Sequence, residues 1–457
     1  MKKSPGLSYG LIAATVILPL ASAALAAEKP AAAVSAGWQK PAWLTDLSAG
    51  VKESYDDNVL LVADKDPGMN PQSSWITTVS PKVGFNFAPL LGTQKTLQTL
   101  SLVYAPDFAI YHDASSESYN AHKLANVIKG KTGDFSFALD NAFLFNDGDS
   151  TAPIYALSPA SANDKNRSAY ATAAPRERRK QIQDRATIVL QYDVDQFFIR
   201  PTASLTYYDL MTDWHKSSGA YTGYQDYEDR ADVNGGLDLG YKVTKDLAVT
   251  VGYRYGHQYQ QAFPNAIDTT TFNHQQAQSS SDYQRLLLGL EGKPWKWLTV
   301  KVAGGPDFRD YNSAAPMNDH RPVNYYGEAS MTAILTPNQS LSLTYKHWQW
   351  VASTGKYSYY DSSYALAYHW NATKQLGLDL AAKYADSDYA SATDNQYLRD
   401  DAMYSLSAGV SYAFTPHFST SLGYTCNLGR NQQDNATFEP YREFDQNVVS
   451  LSAQYKF

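Results

Sequence analysis

From Leu44 onward, apolar and polar residues alternate with a period of two over segments of about ten residues. Tyr404, Leu406, Ala408, Val410, Tyr412 and Phe414 share one face, against Ser405, Ser407, Gly409, Ser411 and Ala413 on the other. Leu376, Leu378, Leu380, Ala382 and Tyr384 repeat this against Gly377, Asp379, Ala381 and Lys383. So do Leu247, Val249, Val251, Tyr253 and Tyr255 against Ala248, Thr250, Gly252 and Arg254. A strand with one face for lipid and one for water is the repeating unit of a transmembrane β-barrel. A soluble sandwich also alternates, but its strands are shorter and its second face is less uniformly small.

Eighteen strands are expected, with cores near 45–55, 75–87, 98–111, 122–131, 135–145, 184–192, 197–210, 231–243, 247–259, 283–293, 298–311, 324–335, 341–351, 361–370, 376–388, 403–414, 418–429 and 445–457. Sixteen is the alternative count. Short turns such as Thr132-Gly133-Asp134, Asp193-Val194-Asp195 and Thr415-Pro416-His417 alternate with long polar connections. Short periplasmic turns and long outer loops are the habit of outer-membrane barrels. Every long connection follows an odd strand, which puts both barrel ends in the periplasm. The fold class is therefore all-β, a closed antiparallel transmembrane barrel.

The ends of the chain add an address. Lys2 and Lys3, an apolar stretch to Leu25 and Ala24-Leu25-Ala26 form a secretory signal peptide over residues 1–26. Residues 27–43 are an Ala/Pro-rich periplasmic lead-in, and residues 44–457 form the barrel. Val449, Leu451, Ala453, Tyr455 and Phe457 alternate to the last residue. This pattern is the expected signal for the barrel assembly machinery, which reads an edge strand before closure. The expected location is the outer membrane of a Gram-negative envelope, among lipid and lipopolysaccharide.

Composition agrees. The 457 residues include 35 Tyr and 9 Trp, only 18% are charged, and yet mean hydropathy is −0.43, too polar for a helix bundle in a membrane. Thirty-eight Lys and Arg against 45 Asp and Glu give a net charge of −7, which argues against nucleic acid as a partner. One Cys excludes a disulfide scaffold or a Cys-based zinc site.

Near the first strand the chain reads Glu53-Ser54-Tyr55-Asp56-Asp57-Asn58-Val59. A Tyr followed by Asp-Asn-Val at the start of a secreted, Tyr-rich barrel resembles the β-barrel porin 2 family. The resemblance implies an outer-membrane barrel linked to capsule or exopolysaccharide pathways. It assigns no functional residue by position.

Chemistry-bearing motifs are sparse. The nine His residues form no HxH or HExxH, and neither GxSxG nor an EF-hand loop occurs. His215 beside Asp213 is the one candidate for an outer-surface hydrolase dyad, against a solvated loop histidine. Cys426 falls on a lipid-facing register as a small apolar filler. No catalytic residue, metal site or cofactor is expected, and the chain is expected not to be an enzyme.

The inward register instead collects Arg254, Arg285, Lys301, Arg309 and Lys346. An unpaired basic strip would favour anions. If these cations pair with Asp307 and Glu328, the wall is neutral. Trp348 and Trp350 share the face of Lys346, where they could stack on sugar rings or belong to an aromatic girdle. The longest connection, about 146–183, carries Asp147 and Asp149 at one end and Arg176-Glu177-Arg178-Arg179-Lys180 at the other. Folded inward, it would constrict the channel with a transverse field across Asp147, Asp149, Arg176, Arg178, Arg179 and Lys180. Left outside, its basic run would meet lipopolysaccharide phosphates.

Three functions remain. The first is a pore for small polar solutes or an exported polysaccharide. The second is a surface-binding or adhesion barrel with a blocked lumen. The third is a barrel hydrolase. Small inward residues favour the pore.

Overall fold

A computed structural model describes residues 40–62, 70–148, 179–211, 229–261, 279–312, 323–351, 358–389, 399–431 and 443–457. The expected signal peptide, residues 1–26, and almost all of the expected lead-in lie outside these residues. The strands are β1 (Leu44–Asp56), β2 (Ser74–Asn86), β3 (Leu97–Tyr104), β4 (Asp107–Tyr111), β5 (Tyr119–Thr132), β6 (Phe135–Asp147), β7 (Gln181–Val194), β8 (Phe197–Asp209), β9 (Arg230–Thr244) and β10 (Leu247–Gln260). They continue as β11 (Ser281–Trp295), β12 (Leu298–Tyr311), β13 (Val323–Thr336), β14 (Gln339–Val351), β15 (Ser358–Asn371), β16 (Leu376–Tyr389), β17 (Arg399–Ala413), β18 (Phe418–Asn431) and β19 (Phe444–Lys456).

Each strand pairs antiparallel with its neighbours, and β19 pairs with β1, so the sheet closes. Segments β3 and β4 are one crossing interrupted at Ala105-Pro106, because Pro106 has no N–H to give to the ladder. Both halves pair with β2 and with β5. The barrel thus has eighteen crossings, in the positions the alternation predicts.

The outward face is mostly apolar and uncovered. Leu288 is 69% exposed, Val251 61% and Leu451 59%, values that only lipid makes tolerable over a whole wall. Aromatic rings bound this belt. Near the long-connection end, Tyr345, Tyr364, Tyr384 and Tyr404 on four successive strands stand 4.9, 6.0 and 5.0 Å apart. At the tight-turn end lie Trp295 against Trp297, Tyr412 against Phe414, and Tyr455 against Phe457. Two-residue hairpins need positive φ, and Gly133 (58°) and Asp195 (51°) supply it between β5 and β6 and between β7 and β8. Val449, Leu451, Ala453 and Tyr455 hold the outward register of the closing strand. The Phe457 amide donates to the Leu47 carbonyl at 2.9 Å.

Candidate functional site: the lumen and its outer mouth

The inward face is built by the residues between the lipid-facing ones. Along β17 to β19 it is small and hydroxyl-rich: Ser405, Ser407, Gly409 and Ser411, then Ser419, Ser421 and Gly423, then Ser450 and Ser452. Along β1 to β6 it carries partly exposed ion pairs. Lys82 meets Asp46 at 2.6 Å, Lys123 meets Asp107 at 2.5 Å and Lys129 meets Asp140 at 3.4 Å.

The opposite side is filled. The β13–β14 ladder ends at the pair Gly327 and His347, whereas β14 and β15 stay paired as far as Val351 and Ser358. Beyond His347 the β14 strand therefore leaves the wall. Both of its faces become enclosed: Gln349 is 1% exposed, Trp350 2% and Val351 0%. It reaches inward-facing residues on distant strands. Gln258 of β10 donates from Nε2 to the Gln349 carbonyl at 2.8 Å, and Arg230 of β9 donates from Nη1 to the Val351 carbonyl at 2.9 Å. The Trp350 ring packs edge-on to Tyr208 of β8, with centroids 6.4 Å apart. Tyr359 of β15 is fully buried in the same cluster, and Trp348 is half-buried against it. Asn324 and Tyr311 bind the Gln349 side chain at 3.1 and 2.6 Å. The β14–β15 hairpin thus leans into the lumen and lies over β8 to β13.

Below it is a polar layer. The Arg285 guanidinium lies between the rings of Tyr283 and Tyr326, at 3.9 and 4.4 Å. Its Nε donates to Asp307 at 2.8 Å, and Arg309 donates to the same carboxylate at 3.0 Å. Asp232 accepts from Tyr283 at 2.9 Å and from Gln258 at 3.0 Å. Deeper, Arg254 meets Asp238 at 2.7 Å, and Arg200 forks onto Glu291 and lies 3.8 Å from Asp238. Lys301 stands 3.8 Å from Glu328.

The candidate residues fall as follows. Arg254, Arg285, Lys301, Arg309, Lys346, Trp348 and Trp350 all occupy inward register positions. The first four face carboxylates, with Arg285 and Arg309 sharing Asp307, so the strip is paired rather than free. Lys346 Nζ sits 3.4 Å from the centroid of the Trp348 ring. Trp348 and Trp350 stack at 4.9 Å. They belong to the leaning hairpin rather than to a girdle. Sequence reasoning missed Arg200, Arg230, Asp232, Asp238 and Glu291; their inward register was readable, but their partners were not.

For the long connection, Asp149, Arg176 and Arg178 lie outside the described residues, as do His215 and Asp213. At its base Asp147 and Lys180 pair with each other at 3.7 Å, so these two do not face one another across the lumen. Arg179 is fully buried and donates from Nε to the Leu210 carbonyl at 3.2 Å, on the rim beside β8.

The Asp56-Asp57-Asn58 motif clasps the barrel seam. Asp57 accepts from the Asn447 amide and side chain at 2.6 and 2.8 Å. Asn58 donates to the carbonyls of Asp445 and Val62 at 2.9 and 2.8 Å, and Gln446 donates to Asp56 at 2.8 Å.

No family model matches the chain, and no curated protein does. Among solved structures, Pseudomonas aeruginosa OccK9 (OpdG) is 12% identical over 90% of this chain and 98% of its own, with a TM-score of 0.43. Pseudomonas aeruginosa OpdO is 11% identical over 90% and 97%, with a TM-score of 0.42. The siderophore receptor PirA from Acinetobacter baumannii is 9% identical over 91% and 81%, with a TM-score of 0.41. At these values the likenesses carry nothing about cargo or mechanism.

Proposed function

We propose that this barrel is an outer-membrane channel for uncharged or weakly charged polar solutes of the saccharide class, narrowed near its outer mouth by the β14–β15 hairpin. One observation carries the reading. The hairpin and its polar layer fill the side lined by β8 to β13, while small hydroxyl side chains and partly exposed ion pairs line β17 to β19 and β1 to β6. Paired charges leave little net field to select an ion, and a hydroxyl-lined wall suits a hydroxylated solute. Trp348, with Lys346 and Trp350 on its faces and Nε1 donating to Asp361, offers a ring edge among hydrogen-bonding groups for a sugar to meet. The resemblance to the β-barrel porin 2 family favours an exported polysaccharide as the solute. The barrel is assigned no catalytic step, no cofactor and no nucleic acid; its partners are lipid, lipopolysaccharide and the barrel assembly machinery.

The burial of Trp350 and Tyr359 favours one rival, a lumen blocked at the outer mouth beneath adhesive surface loops. Planar-bilayer recording and proteoliposome swelling with saccharides of increasing length separate the two. The channel should conduct steadily and admit small saccharides faster than long ones. Assembled, heat-modifiable barrels that neither conduct nor swell would overturn the channel in favour of the blocked lumen.

A further inference from the structure

We infer that the outward face of β5, β6 and β7 is a contact surface between two copies of this chain within the membrane. A polar ladder crosses that face. Asn126 donates from Nδ2 to Asn141 Oδ1 at 3.1 Å, and Asn141 donates from Nδ2 to Asp184 Oδ1 at 2.5 Å. All three hold the lipid-facing register. Asn141 lies between Leu139 and Phe143 on β6, and its cross-strand partners are Asn126 and Ala186. Asp184 is level with Phe143 and Tyr207 and shares its face with the exposed Ile188 and Leu190.

Polar groups facing hydrocarbon are costly, because lipid offers no hydrogen-bond partner for the capacity they have left. The ladder satisfies part of each group; a carboxamide has two donor hydrogens and two acceptor lone pairs, and a carboxylate has four lone-pair sites. At the depth of Asn126 and Asn141 the outward positions of β16 to β19 are Ala382, Leu406, Tyr424, Cys426, Val449 and Leu451, whereas Asn447, the polar outward residue of β19, lies nearer the outer rim, level with Asp184.

The occupant must itself lie in the membrane and present polar groups at the same depth. This face meets both conditions for a second copy. Asn side chains donate and accept alike, so the ladder is complementary to itself, as a symmetric interface demands. Ala186 and Ala203 flank it and leave room for a second wall to approach closely, as small residues do at membrane interfaces. The inference is independent of what the lumen carries.

Native mass spectrometry of the full chain in nanodiscs tests it. Wild type should appear at a multiple of the chain mass. Asn126→Leu with Asn141→Leu should weaken association by about tenfold or more, while heat-modifiable mobility and conductance persist. In a Cys426→Ser background, Asn126→Cys treated with a bismaleimide in isolated membranes should give a product of twice the chain mass. A monomer in both assays, an oligomer indifferent to the double substitution, or an adduct with a different protein would each overturn the inference.

Discussion

Arg230 on β9 donates from Nη1 to the main-chain carbonyl of Val351 on β14 at 2.9 Å, although four strands of the barrel wall separate them. A bond of this kind is possible only because the end of β14 has left the wall. Arg230 also lies over the rings of Tyr208 and Trp350, at 5.0 and 5.8 Å. One side chain therefore ties the hairpin to the far side of the lumen by a charged donor and two aromatic faces.

Arg230→Ala should loosen the hairpin without unfolding the barrel, because Gln258 still holds the Gln349 carbonyl. Single-channel recordings should show larger or more frequently interrupted conductance than wild type. Trp350→Ala removes more of the packing, at a cost of about 3–5 kcal/mol for a buried aromatic, and should raise conductance further. Identical traces for wild type and both variants would mean the hairpin does not limit flow.

Charge selectivity follows from pairing. With Arg254, Arg285 and Arg309 each facing a carboxylate, wild type should show weak selectivity in a salt gradient. Arg254→Ala leaves Asp238 with only the Arg200 contact at 3.8 Å and should shift the reversal potential toward cations. Arg285→Ala should shift it the same way, with a smaller loss of stability than the removal of a sole partner, since Asp307 keeps Arg309 at 3.0 Å. A strong anion preference in wild type that vanishes in either variant would restore the unpaired basic strip.

Asp229, just before β9 at the outer rim, predicts a pH effect. Burial raises its carboxyl to about 6, opposed by the Leu210 amide donating to it at 2.9 Å and by Arg179, while Asp209 adds to the rise. In an open chain the group titrates near about 4. Between these values the folded form holds the proton and the unfolded form does not, so stability present at low pH is lost as pH rises from about 4 to 6. Hydrogen-exchange protection at the outer end of β8 should be higher at pH 4 than at pH 7, and Asp229→Asn should flatten the difference. Protection that rises with pH would contradict the assignment.

The strands were legible because alternation is local: the faces of Tyr404 to Phe414 are decided by those residues alone. The register also placed Arg254, Arg285 and Trp348 on the inward side. The lean of the hairpin was not legible, since it depends on where the β13–β14 ladder stops, a fact about two strands and not one. Pairings such as Arg200 with Glu291 join β8 to β11, strands that are not neighbours, and no spacing along the chain encodes that. The Asp-Asp-Asn motif stood out in the sequence, but its partners lie at the other end of the chain.

That motif gives the last prediction. The ladder between β1 and β19 ends at the pair Asp56 and Val448, and beyond it the seam is held by one main-chain bond, from the Asp57 amide to the Asn447 carbonyl at 3.2 Å, and by side chains. Asn58 is 2% exposed and uses its amide nitrogen on both Asp445 and Val62, while its Oδ1 accepts from the Val62 amide at 2.9 Å. Asn58→Ala leaves those main-chain groups without their partner, a loss of about 1–3 kcal/mol for each buried group that water cannot reach. The damage falls on the one pairing that joins the chain's two ends, and closure is what removes the open edges of β1 and β19. Asn58→Ala should therefore lower the temperature at which the compact gel band disappears and slow folding into lipid vesicles. Asp57→Asn should do less, because its side-chain oxygen can still accept from the Asn447 amide. Equal folding rates and equal band stability for wild type and Asn58→Ala would show that the strand ladder alone closes the barrel.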